Sequence, residues 1–301
     1  MVGQAGIDFA ALVYWGTPGQ ESWSTIGART YGQVLGEQLE AGEPIVPAAM
    51  FYDTSTLSWN PQQQPIALDT EAGATWFYET IRDFFSLIPP RGWARIDGKP
   101  IVILYGADYA ASHDPELFAK TRQRFREDFG VEPYIIKNHD WPGEADGVIS
   151  WGGALGLLVH TVAALGPGYD HSAVPGRQPL IVPRLQGAFY RNQWDRLLAQ
   201  DPEVRPFMVM VETWNELHEG SEIEPTVEHG SLYLLLTRRY TDLWRAGAHL
   251  PIGGPYVGVT QLQWRPGFED GIRIIDPADG PFRDLVRDGR PCVVTEHAGG
   301  Y

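Results

Sequence analysis

Hydrophobic positions along this chain come in two kinds of run. Short, nearly continuous runs alternate with longer ones of helical spacing. The short runs are "FAALVYW" (9–15), "PAAMFYD" (47–53), "PIVILYG" (100–106), "EPYIIKN" (132–138), "DGVISWG" (146–152), "PLIVPRL" (179–185) and "PFMVMVETW" (206–214). Runs of this kind predict strands buried on both faces, as in a parallel sheet. Between them, Phe77, Ile81, Phe84, Phe85 and Ile88 keep helical spacing over 70–88, stopped by Pro89-Pro90. Phe118, Phe125 and Phe129 do the same over 114–130, with Asp114 as cap, Pro115 in the first turn and Gly130 as stop. Leu232, Leu236, Tyr240 and Leu243 predict a helix over 227–246, and shorter helices fit 26–41 and 188–200. Trp76, Trp194 and Trp244 lie on helix faces and are expected in the core.

Strand–helix alternation predicts an α/β fold, either a doubly wound sheet or a (β/α)8 TIM-type barrel. Seven strands are legible where a barrel has eight. The expectation is a barrel over 1–250 lacking its first strand, which would precede residue 1 in a longer polypeptide. After 250, "YVGVTQLQW", "GIRIID" and "PCVVTEH" predict the beginning of a β-rich, sandwich-like appendage over 251–301. The N-terminus shows no basic region or cleavage-like site, so no signal peptide is legible, and localisation stays open. No segment reaches the apolar length of a membrane span.

Charge narrows the partners. The net charge of −15 speaks against nucleic acid and anionic membranes and suits neutral or cationic ligands. The single cysteine, Cys292, permits neither an internal disulfide nor a cysteine-based zinc site, and is read as a small hydrophobe. No G-x-S-x-G, Walker loop or G-x-G-x-x-G is present, so nucleophilic-serine chemistry and phosphate or dinucleotide cofactors are not expected; no cofactor is assigned.

In a barrel, chemistry gathers at the C-terminal strand ends. Those ends carry Tyr14-Trp15, Asp53, Tyr105, Asn138-His139-Asp140, Trp151, Arg184 and Trp214-Asn215-Glu216, while the N-terminal ends carry mostly Pro, Gly and small residues. Rings with carboxylates and amides suit carbohydrate, whose C–H faces stack on aromatics and whose hydroxyls need bidentate polar partners. Asp53 has an equal reading as a turn cap. Tyr169 and Asp170 in "GPGYDHS" join as loop candidates. "ETWNELHEGSEIEP" (212–225) holds five glutamates and no lysine or arginine. Alternation places Glu212, Trp214 and Glu216 on one face, with Glu219 one turn later. Crowded acids raise one another's pKa, and glycosidic cleavage needs one neutral and one ionised carboxyl group. Glu222 and Glu224 read more simply as acids near a helix N-terminus. Arg184 is read either as a partner tuning one acid or as a structural ion pair.

"WNELHEG" with "EIEP" resembles the signature of glycoside hydrolase family 99 and its 99-like and 71-like relatives. "GIDFAALVYWG", "AMFYDTS", "GKPIVILYG" and "GPGYD" resemble the same group. Leu217 and Ser221 stand where that family has Trp and Thr. The resemblance implies a (β/α)8 barrel acting on α-mannosides with retention. It implies Glu216 as the base on the sugar's own 2-hydroxyl and Glu219 as the general acid. Around them Tyr14, Trp15, Asp53, Asn138, His139, Asp140, Trp151, Tyr169, Asp170, Arg184, Glu212, Trp214, Asn215 and His218 are the expected substrate-binding residues. The expected partner is an oligo- or polysaccharide of α-mannoside or α-glucoside type. Two alternatives stand beside this reading. One is a non-catalytic carbohydrate-binding barrel. The other is a metal-dependent hydrolase through His218-Glu219-x-x-Glu222, which reads partly like a zinc signature and which Gly220 opposes.

Overall fold

The computed structural model describes residues 1–251 together with two short strands, Leu262–Gln263 and Arg273–Ile274, paired antiparallel. The remainder of the expected 251–301 appendage, Cys292 included, lies outside the described residues. The chain divides into two compact units. One comprises Ile7–Trp151 with Val2; the other comprises Met1, Gly3–Gly6 and the chain from Gly152 onward.

The first unit holds a six-stranded sheet. Strands β1 (Ala10–Tyr14), β2 (Ala48–Tyr52), β4 (Lys99–Leu104), β5 (Tyr134–Asn138) and β6 (Gly147–Ile149) run parallel as neighbours in that order, and β3 (Arg95–Ile96) pairs antiparallel with β4. The β3–β4 turn is Asp97-Gly98, both at positive φ, which suits a two-residue hairpin. Three helices, α1 (Trp23–Ala41), α2 (Glu71–Leu87) and α3 (Leu117–Phe129), alternate with the strands. Their ends follow the sequence signals. Ser22 and Thr70 cap α1 and α2 through their hydroxyls, and Gly130 closes α3 in the left-handed conformation. Asp114 sits just before α3, accepting from Glu116 N at 2.9 Å.

Period-two alternation sorts the strands' side chains. Tyr14, Tyr52 and Leu104 point into the core formed with the helices, where Phe77, Ile81, Phe84, Phe85 and Phe125 are buried. Each such burial contributes about 1.5–3 kcal/mol. The opposite face carries Val13, Phe51, Ile103 and Ile136 at one level across four adjacent strands.

In the second unit, β8 (Val162–Leu165) pairs parallel with β11 (Met208–Val211), and β7 (Leu158–Val159) adds antiparallel to β8. Helices α4 (Ala188–Leu198) and α5 (Leu232–Arg245) pack through Trp194 and Tyr240, stacked at 5.6 Å. Three expectations are corrected here. The run 179–185 is not a parallel strand: only β10 (Ile181–Val182) is extended, antiparallel to β9 (Tyr169–Asp170). The parallel partner of β11 is instead "VAAL", four fully buried residues between polar Thr161 and Gly166. The strand expected over 206–214 ends at Val211, and α5 begins at Leu232 rather than 227 because Thr226 and Gly230 close a turn first.

Candidate active site

The acidic stretch begins where β11 ends. Glu212 is 1% exposed, and its carboxylate accepts from Gly152 N at 3.0 Å and Ala154 N at 3.4 Å. Burial pushes its pKa up to about 8, against the pull of the N–H groups of Gly152, Ala154 and Gly153. It therefore anchors the 152–154 turn, with both oxygens engaged by backbone, rather than facing a ligand. Beyond it the chain folds back on itself. Thr213 N donates to Ser221 O (2.9 Å), Ile223 N to Trp214 O (3.1 Å) and Glu224 N to Trp214 O (3.0 Å). This return loop replaces the strand that would have aligned Glu212, Trp214 and Glu216 on one face.

At the loop's tip, Leu217–Glu219 form a single 3-10 turn ended by Gly220 in the left-handed conformation. A Cβ at Gly220 would sit 3.2 Å from Asp170, so the glycine lets β9 approach. Glu216 and Glu219 flank this turn. His218 Nδ1 lies 2.7 Å from Glu216 Oε1, and Arg177 Nη1 lies 2.5 Å from Glu219 Oε1. The Glu216 carboxyl is held above its ordinary range, first by burial and then by the Glu219 charge; His218 and Arg177 pull the other way. The Glu219 charge thus reaches the Glu216 carboxyl. Asn215 and His218 are exposed, and Trp214 is half-buried in the same loop.

Two arginines serve this loop, and both come from 177–184. Arg184 donates to Gly220 O (3.1 Å), Glu222 O (2.9 Å) and Glu222 Oε2 (2.6 Å), with its guanidinium 4.6 Å from the Tyr233 ring. Glu222 is thus the acid in a buried ion pair, neither a helix-terminus charge nor a metal ligand. Among the described residues, no three His, Cys, Asp or Glu side chains converge to hold a metal ion. Arg177 is steered by His171, whose Nε2–H donates to Gln178 O at 2.6 Å while Nδ1 lies 3.1 Å from the Tyr169 hydroxyl. Tyr169 and Asp170 form the floor of this loop.

The first unit carries the remaining candidates. The register continues one step beyond the strands, so Trp15, Asp53, Tyr105 and Asn138 follow the Val13–Phe51–Ile103–Ile136 level on the same face. Trp15 Nε1 donates to Asp53 Oδ2 at 2.6 Å, and Asp53 Oδ1 caps Ser55 N at 3.0 Å, so Asp53 fills both roles of turn cap and ring anchor. Asn138 is buried: its carbonyl accepts from Trp151 N (3.0 Å) and its amide donates to Asp140 Oδ1 (2.7 Å). Asp140 Oδ2 accepts from Ala107 N (2.8 Å), and His139, exposed, contacts Ser150 Oγ (3.0 Å). Tyr14 stands apart. It is one residue out of phase with Trp15, 1% exposed, and packs edge-on against Phe84 on the helix side.

Arg177, Trp59 and Tyr109 escaped the sequence reading. Arg177 sits in a Gly/Pro loop with no periodicity. Trp59 and Tyr109 follow their strand ends by several residues, outside the positions a strand-end rule inspects.

A solved structure titled "Glycoside hydrolase-like protein" is similar to this chain at 18% identity with a TM-score of 0.57, covering 80% of this chain and 83% of its own. That likeness shows a shared α/β fold. No protein of curated function matches the sequence. A family model described as Domain of unknown function (DUF5010) matches residues 2–250, and the chain belongs to that family.

Proposed function

We propose that the protein is a glycoside hydrolase whose working groups are Glu216 and Glu219. The observation carrying this reading is their placement at the two ends of one tight turn, each with its own cationic or ionisable partner. The scaffold that accompanies it is of the (β/α)8 kind implied by the resemblance to glycoside hydrolase family 99. The substrate is an α-linked glycan of manno or gluco type, cleaved with retention through the substrate 2-hydroxyl.

The roles within the pair follow from the partners. Arg177 pairs with Glu219 as a carboxylate, the form that a base or nucleophile uses. Burial and the Glu219 charge raise the Glu216 carboxyl, the direction a general acid needs. This allocation is the reverse of the one the resemblance implies.

Turnover of Glu216→Gln and Glu219→Gln on oligosaccharides tests the pair, with a loss of about 10²–10⁴-fold expected for each. An aryl glycoside whose leaving group needs no proton separates the roles. Glu216→Gln keeps activity on it and Glu219→Gln does not; the opposite pattern restores the implied allocation. Near-normal turnover of both variants on a glycan the wild type cleaves removes the proposal.

A further inference from the structure

Aromatic rings on the first unit form a continuous chain from the sheet to the surface. Phe51, 4% exposed, meets Trp151 at 4.8 Å; Trp151 meets Tyr105 at 5.9 Å. Tyr105 stacks on Tyr109 at 5.9 Å and 27°, and Tyr109 meets Trp59 edge-on at 5.9 Å. Exposure rises outward along this ladder to 67% at Trp59. An exposed tryptophan at the end of an ordered ring series has no part in the core, since Phe51 already fills the position against the sheet.

The two loops that carry the outer rings are stitched together. Thr54 Oγ1 donates to Gly106 O (2.5 Å) and Ser58 Oγ to Tyr109 O (2.6 Å). Backbone bonds join Ala111 N to Ile66 O (2.9 Å) and Leu68 N to Ser112 O (3.1 Å). Asn60, buried, fastens the Trp59 turn by donating to Leu57 O and Gln64 O. The rings are therefore held before any ligand arrives, which lowers the ordering cost of binding.

The chemistry around the ladder is one-sided. Segments 14–22, 53–70, 105–116 and 138–152 contain no lysine or arginine of their own, while Asp53, Asp108, His139 and Asp140 supply polar groups; Arg29, Lys120, Arg122 and Lys137 reach them from outside and are taken up by Glu21, Asp114, Asp146 and the Trp141 and Gly143 carbonyls. Stacked rings with more acceptors than cations fit the C–H faces and hydroxyls of uncharged sugars and disfavour anionic ones.

We propose that the ladder Trp151–Tyr105–Tyr109–Trp59 is a binding surface for a neutral oligosaccharide of two or more sugars, with Trp59 as its outer stacking platform. The inference takes from the proposed function only the class of ligand. Affinity electrophoresis of the full chain through native gels containing α-mannan, a neutral glucan or polygalacturonate tests it. The wild type is retarded by at least one neutral polymer and not by polygalacturonate. Trp59→Ala weakens that retardation at least tenfold, and Tyr109→Ala does so as well. Trp23→Ala removes an 87%-exposed tryptophan at the start of α1 and leaves retardation unchanged. Matching melting curves for Trp59→Ala and wild type show that the fold is kept. No retardation of the wild type by any neutral polymer, or equal effects of Trp59→Ala and Trp23→Ala, overturns the proposal. Repeating the gels with Glu216→Gln separates the two readings: if that variant still hydrolyses glycan, the glutamate pair falls while the ladder is judged by retardation alone.

Discussion

Glu212 offers a quantitative test of what burial does in this fold. Its folded pKa of about 8 lies above its ordinary 4.5. Between those values the folded state holds a proton that the unfolded chain has released, so stability falls as pH rises from about 4.5 to about 8 and then levels. With about 1.4 kcal/mol per pKa unit, the loss between pH 5 and pH 8 is roughly 3–4 kcal/mol. Other groups titrate over the same range, so the quantity to read is a difference. Glu212→Gln keeps an acceptor for the Gly152 and Ala154 N–H groups but has no titrating proton. Urea unfolding followed by tryptophan fluorescence, at half-unit steps from pH 5 to 8, gives both stability curves. The wild type should lose roughly 3–4 kcal/mol relative to the variant across that window. Parallel curves, differing by less than about 1 kcal/mol over the window, would mean that the backbone donors outweigh burial and that Glu212 is an anion in the fold.

Gly166→Ala should destabilise by about 3 kcal/mol: an added Cβ would lie 2.1 Å from Glu212 O and 2.7 Å from Ala154 Cα, both backbone. An unchanged urea midpoint contradicts that close approach. Arg184→Met should cost about 3–5 kcal/mol by leaving the Glu222 carboxylate buried without its partner, and Arg184→Met with Glu222→Leu should recover most of it. A double variant no more stable than the single one assigns the loss to the Gly220 and Glu222 carbonyls that Arg184 also holds.

The parallel sheet of the first unit was legible because its strands end in apolar runs of β-branched and aromatic residues, bounded by turn signals. The levelling of its strand ends was legible for the same reason. In-register parallel strands end at one level, so the residue after each run lands beside its counterparts, as Trp15, Asp53, Tyr105 and Asn138 do. The second unit was harder to read. "VAAL" is only four residues long, too short for its pattern to distinguish strand from helix, and its identity as a strand depends on β11 beside it, forty-odd residues later in the chain. "PLIVPRL" has the better composition, yet its prolines cannot donate within a ladder, and only Ile181–Val182 pair. Tyr14 and Glu212 show the remaining limit. Being near a strand end does not say which way a side chain points; alternation turns Tyr14 to the helices, and the backbone donors of 152–154 turn Glu212 inward.

Five glutamates in fourteen residues without a local cation pose an electrostatic problem, and the fold places four of them in four different environments. Glu212 is neutralised by burial, Glu222 by Arg184, and Glu219 by Arg177; Glu216 is left with His218, a partner that is itself titratable. Both arginines come from the 177–184 segment, which the His171–Gln178 and Tyr169–His171 contacts hold in place. The two buried acids, Glu212 and Glu222, receive backbone donors or an arginine, while Glu216 and Glu219 at the loop's tip each have one side-chain partner. Burial and the Glu219 charge raise the Glu216 carboxyl while His218 and Arg177 pull it down, with burial the largest of these effects. Under the proposed function, Glu216 and Glu219 are the acids of this stretch left at the loop's tip for chemistry, and the crowding of like charges then has a use.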